Sequence, residues 1–104
     1  MSALYLVAEL RVNEPAKLGE YARDVAPLLA RFGGRIVALG RPELLEGATE
    51  CHVLVVQRWP SRAAFDAFWT STDYEPLKRL RHEAADSRLL LVDEVPERDV
   101  TPRG

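Results

Sequence analysis

Glu50-Cys51-His52-Val53-Leu54-Val55-Val56-Gln57-Arg58-Trp59 is the stretch on which the architecture turns. Val53 to Val56 form its centre and Pro60-Ser61 ends it, so it reads as a strand. With the two-residue period of a strand, His52, Leu54, Val56 and Arg58 point one way, and Cys51, Val53, Val55 and Trp59 the other. Leu4 to Val12 behaves alike, with Leu4, Leu6, Ala8 and Leu10 on one side and Tyr5, Val7, Glu9 and Arg11 on the other. Both sides of both strands are largely apolar, whereas a sheet with one side in water alternates apolar with polar residues. Such a layer needs two covers.

Working outward, Asn13-Glu14-Pro15 is a helix start: Asn13 can cap it, and proline is tolerated in a first turn. Leu18, Tyr21, Ala22, Val25, Leu28, Leu29 and Phe32 then recur at three- and four-residue spacing as one apolar stripe. Pro27 inside the stripe predicts a kink, and Gly33-Gly34 supplies the left-handed residue that closes a helix. Arg35 to Leu39 is a short strand. Ser61 caps a helix from Arg62 to Trp69, and Pro76 stands in the first turn of a second helical piece with the stripe Tyr74, Leu77, Leu80 and Ala84. Ser87 to Val95 carries Leu89-Leu90-Leu91-Val92, a last buried strand, and 96–104 reads as a loose polar tail. The order strand, helix, strand, strand, helix pair, strand predicts the α+β class. It is the ferredoxin-like βαββαβ pattern, a single domain over 1–95 with an antiparallel sheet and helices on one face. The expected cover for the other face is a second copy of the chain, a homodimer through the open sheet face.

Composition narrows the function. The 104 residues carry 14 Lys plus Arg against 16 Asp plus Glu, a formal net charge of -2. That offers no basic face for nucleic acid, and no apolar run approaches the roughly 18 residues that span a bilayer. Neither nucleic acid nor membrane is an expected partner. Cys51 stands alone, and the two histidines lack metal-ligand spacing, so no metal is expected. Gly33, Gly34 and Gly40 follow a helix and do not form a dinucleotide loop; no cofactor is expected either. Met1-Ser2-Ala3-Leu4 runs directly into strand-like sequence without a basic segment or cleavage signal, and the expected location is the cytoplasm.

Few residues carry chemistry. His52 is the first candidate for acid–base work because imidazole titrates near neutrality, and Glu9 is the carboxylate that can serve with it or in its place. The plainer reading puts His52 on a strand end with a ring nitrogen bonded to backbone. Arg35, directly after Gly33-Gly34, suits an anionic ligand, and Glu46 is a further ligand-binding candidate that could also pair with His52; alternatively Arg35 and Glu46 pair with each other across neighbouring strands. Tyr21, Trp69 and Tyr74 converge with Phe65 and Phe68 between helices and sheet, as ordinary core or as the wall of a cavity. Arg81, Asp86 and Arg88 read as ion-pair formers at the end of the last helix.

Several separated motifs resemble one family: Phe32-Gly33-Gly34-Arg35 leading to Leu45-Glu46-Gly47, Trp59-Pro60-Ser61, the segment from Trp69 to Tyr74, and Arg81 through Arg88. The family is known as domain of unknown function thirteen-thirty, in the dimeric α/β-barrel superfamily, and the resemblance covers about residues 4–95. Trp59 departs from the smaller aromatic common there. The resemblance implies the dimeric barrel fold but supplies no activity, since the superfamily also holds cofactor-free monooxygenases, haem-degrading enzymes and isomerase-like proteins. Two functions follow as expectations. One is a small dimer that binds or transforms a small organic molecule between sheet and helices without a cofactor, as a monooxygenase- or isomerase-like enzyme if it is one. The other is a non-catalytic dimeric module with a filled interior. A cavity of roughly 300 Å³ or more with at least two convergent polar groups favours the first.

Overall fold

The computed structural model describes residues 2–96. Its elements are β1 (Leu4–Val12), α1 (Pro15–Arg31), β2 (Arg35–Gly40), β3 (Val53–Trp59), α2 (Arg62–Trp69), α3 (Glu75–Ala84) and β4 (Ala85–Asp93). All strand pairs are antiparallel, in the order β2-β3-β1-β4. This is the ferredoxin-like α+β architecture. The expected tail, past Pro96, lies outside the described residues.

Register settles which strand set meets the helices. Leu4 stands opposite Trp59 and Asp93, Leu6 opposite Gln57 and Leu91, Ala8 opposite Val55 and Leu89. Leu4, Leu6, Ala8 and Leu10 are all buried, and the core gathers Leu4 and Leu6 with Val25, Leu28 and Leu29 of α1, Phe65 and Phe68 of α2, Trp59 and Tyr74. The opposite face therefore carries Tyr5, Val7, Glu9 and Arg11.

Local signals explain most element ends. Gly33 has φ +94°, and the amides of Gly33 and Gly34 donate to Ala30 and Leu29, closing α1 with two reversed hydrogen bonds. Ser61 Oγ accepts the Ala64 amide at 3.1 Å and starts α2 as expected. At the head of α1 the expectation differs: Glu14 is the cap position and no side chain caps it. The amides of Asn13 and Glu14 instead donate to the Ala84 carbonyl, tying α1 to the end of α3. Pro27 is accommodated within α1, which runs from Pro15 to Arg31. β3 begins at Val53 rather than Glu50; just before it, His52 donates its amide to the Leu10 carbonyl at 2.7 Å and its Nδ1 accepts the Val12 amide at 2.9 Å.

The open face is less uniformly apolar than alternation suggests. Val56, Val7 and Leu90 lie side by side across β3, β1 and β4 as one apolar row. Glu9–Arg88 and Arg11 with Asp86 and Glu50 form ion pairs beyond one side of it. Beyond the other, Tyr5 donates to Glu94 at 2.6 Å and Arg58 pairs with the same carboxylate at 3.0 Å. Those partners, Arg58 first and then Tyr5, hold Glu94 down to about 2 from its ordinary 4.5. A carboxylate lowered by folding stabilises the fold fully above about pH 4.5, and that contribution fades as pH falls towards 2. In thermal melts between pH 5 and pH 2.5, Glu94→Gln is expected to flatten part of the acid loss seen in the parent protein. Parallel acid profiles would remove Glu94 as a source of that loss.

Candidate functional site

Two concavities matter. The larger, about 530 Å³, is an open groove at one end of the sheet, lined by Glu9, Arg11, Glu50, Cys51, Asp86 and Arg88 among others. Its ionic groups neutralise one another: Arg88 Nη2 lies 2.8 Å from Glu9, and Arg11 holds Asp86 and Glu50. The smaller, about 120 Å³, lies between sheet and helices. Leu6, Ala8 and Leu10 of β1, Val53 and Val55 of β3, Leu18 and Val25 of α1 and Leu89 of β4 give it apolar walls. Ile36 and Leu39 of β2 also line it; they stand 42% and 65% exposed, so the cavity meets solvent on that side.

One end of this cavity is polar. The hydroxyls of Tyr21 and Tyr74 lie 2.9 Å apart, and Arg81 Nε donates to Tyr74 Oη at 3.4 Å. Arg81 is 4% exposed and forms no ion pair among the described residues. Burial pushes the Tyr21 hydroxyl above the ordinary phenol range, the neighbouring Tyr74 adds to the shift and Arg81 opposes it. Tyr21 is therefore a neutral hydroxyl at working pH, a hydrogen-bond donor and acceptor rather than a base. Gln57, also buried, lines the cavity as well; its Oε1 accepts the Trp59 indole N–H at 3.0 Å.

The residues singled out from sequence separate in space. Tyr21 and Tyr74 meet in the cavity. Trp69 backs Tyr74 at a ring separation of 5.6 Å, stacks on Phe65 and carries Lys78 Nζ 4.3 Å from its ring centroid. His52 is exposed at the start of β3, and its Nδ1 is occupied by the Val12 amide, so the neutral ring holds its proton on Nε2. Glu9 faces the open groove in its ion pair with Arg88. Arg35 stands exposed at the head of β2, opposite Arg58, and Glu46 is exposed in the connection after β2; the two form no ion pair with each other among the described residues. Among those residues there is also no group of three or more His, Cys, Asp or Glu placed to hold a metal ion.

Arg81 and Gln57 escaped the sequence reading. Asp86 and Arg88 do form ion pairs, but Arg81, grouped with them, turns inward. A signal for it existed: Tyr74, Leu77, Arg81 and Ala84 follow a three-four-three spacing, the inner stripe of α3, while Leu80 is only half-buried. Gln57 likewise occupies the helix-facing set of β3 between Val55 and Trp59.

Residues 3–95 match the family model described as Domain of unknown function (DUF1330). No curated protein matches the sequence. Solved structures do. RPA0582, a protein of unknown function from Rhodopseudomonas palustris, is 24% identical with a TM-score of 0.76, over 91% of this chain and 84% of that one. SnoaB, a cofactor-independent oxygenase from Streptomyces nogalater, is 18% identical with a TM-score of 0.69, over 92% and 96%. A dimeric ferredoxin-like protein of unknown function from Thermobifida fusca is 15% identical with a TM-score of 0.64, over 88% and 90%. At these identities the likeness is one of fold. No described helix is long and apolar enough to cross a membrane.

Proposed function

The chain belongs to the family described as Domain of unknown function (DUF1330), and we propose that it works as a homodimer whose subunits each bind or transform a small organic molecule between sheet and helices, without a cofactor. The observation that carries this reading is the apolar cavity with Tyr21, Tyr74 and Arg81 gathered together and Gln57 also in its lining. Packed cores fill such space with side chains and rarely bury a guanidinium without a carboxylate. Tyr21 and Tyr74 are the ligand-facing members of the set, with Trp69 behind them. His52, Glu9, Arg35 and Glu46 do not line this cavity.

Two copies are joined through the open sheet face. In the single subunit Leu90 and Val92 of that face are 48% and 56% exposed, a surface that association would cover. The Thermobifida protein of the same fold is dimeric. The cofactor-independent oxygenase supports chemistry without a cofactor by analogy of fold alone. The single free cysteine suits the reducing cytoplasm as the place of work.

A second reading has one observation in its favour. The cavity, at about 120 Å³, is smaller than the roughly 300 Å³ from which drug-sized pockets start, and a non-catalytic dimeric module needs no more than such a packing gap. Native mass spectrometry of freshly purified protein separates the two. A dimer carrying extra mass of a small organic compound is the expected result. A bare dimer, whose cavity-lining amides stay unmoved in NMR spectra when benzene is added, supports the module.

A further inference from the structure

The polar side chains that line the cavity carry more hydrogens than their own oxygens can accept. Arg81 has only donors, five N–H groups, against which the tyrosine pair offers two hydroxyl oxygens; the contact from Nε to Tyr74 Oη is long, at 3.4 Å. Tyr21 and Tyr74 share one hydrogen bond between two hydroxyls, which leaves one phenolic proton over whichever of them donates. Gln57 Oε1 is taken by the Trp59 indole, a group that can only donate, and this turns the Gln57 amide nitrogen to the other side. All four side chains line the cavity. A surplus of donors around one buried positive charge, with apolar walls beyond, calls for an oxyanion on a small hydrocarbon body.

From this we propose that the ligand is a small monocarboxylate with an apolar body of about four to six carbons, its carboxylate held by Arg81 and the Tyr21–Tyr74 pair. The inference rests on the reading of the cavity as a ligand site and names the ligand's class. The size follows from the volume: about 120 Å³ lies just under the roughly 150 Å³ of an apolar cavity known to accept benzene. One guanidinium without a carboxylate partner balances a single negative charge, which favours a monoanion over a dianion. The carboxylate reaches the polar end past Ile36 and Leu39, where the cavity is open.

The test uses 3-methylbutanoate and its neutral amide, 3-methylbutanamide, titrated into the nitrogen-15-labelled full chain near pH 7. Shifts of the amides of Leu18, Val25 and Val55 report the cavity, and Arg81 Nε reports the anchor. The acid is expected to bind at least about tenfold tighter than the amide, as hydrogen bonds to a charged group imply. Arg81→Gln should erase that preference, while Arg81→Lys keeps part of it. Equal affinity of the parent protein for acid and amide overturns the anion anchor and leaves the cavity reading in place. Failure of both compounds to move any cavity amide overturns both. Because the acid–amide comparison is made on the parent protein, its outcome does not depend on either variant folding.

Discussion

Trp59→Ala is expected to lower the unfolding free energy by about 3–5 kcal/mol, a large fraction of the roughly 5–15 kcal/mol typical of a domain. Trp59 has no exposed surface, and its ring lies 5.0 Å from that of Phe68 and 5.6 Å from that of Phe65. Truncation empties the middle of the sheet–helix core and strips Gln57 of its indole donor. The indole has room because Gly34 has no side chain: a Cβ there would stand 2.6 Å from the ring. Gly34→Ala alone should therefore cost about 1–3 kcal/mol through overpacking, since neither the backbone nor the ring yields easily. In a double-mutant cycle the two losses should fall far short of adding, because once Trp59 is gone the new methyl meets a void. Chemical denaturation of the four proteins checks this. Additive losses would mean that Gly34 acts through backbone freedom rather than through the space it leaves.

Val7→Asp should break the dimer without unfolding the subunit. Val7 lies in the middle of the apolar row of the open face, flanked by Val56 and Leu90, and is half-buried in the isolated chain. A twofold axis places each substitution in the interface twice, and two like charges enter a surface that holds no counter-charge in that row. At on the order of 3 kcal/mol for each buried unpaired carboxylate, association weakens roughly ten-thousandfold. Sedimentation at micromolar concentration should show the parent protein as a dimer and Val7→Asp as a single subunit with unchanged far-ultraviolet circular dichroism. A parent protein that sediments as one subunit removes the dimer outright.

The two polar clusters of this molecule differ in what they are fit for. On the open face, Glu9 with Arg88 and Glu94 with Arg58 pair acid with base, so neither pair leaves a charge unanswered. In the cavity the charge of Arg81 is buried without a carboxylate, an arrangement that costs stability unless something else supplies the anion. Only the second has reason to bind.

Much of the architecture was legible because it rests on short-range rules. The alternation of Leu4, Leu6, Ala8 and Leu10, the proline in the first turn of α1, Ser61 before α2 and Gly33 after α1 each act through neighbours a few residues away. Where such rules competed with distant partners, the partners won. His52 Nδ1 accepts the amide of Val12, 40 positions away, and Asn13 donates its amide to Ala84 while no side chain caps α1. The candidate site was read only in part: Tyr21 and Tyr74 could be grouped as aromatics facing the interior, but their hydroxyls meet across 53 positions of chain. Arg81 reads from sequence as an ion-pair former, and Gln57 carries no signal there, because charge and amide usually mean surface.

The linear chain thus determined the periods and the element order, since these depend on residue type and spacing. Strand register, and with it the side of the sheet that meets the helices, was decided only in three dimensions. So was the meeting of Tyr21, Tyr74, Gln57 and Arg81 around one cavity. The reason is physical: a hydrogen bond or a desolvated charge depends on atoms within a few ångströms, and folding alone brings α1, β3 and α3 that close.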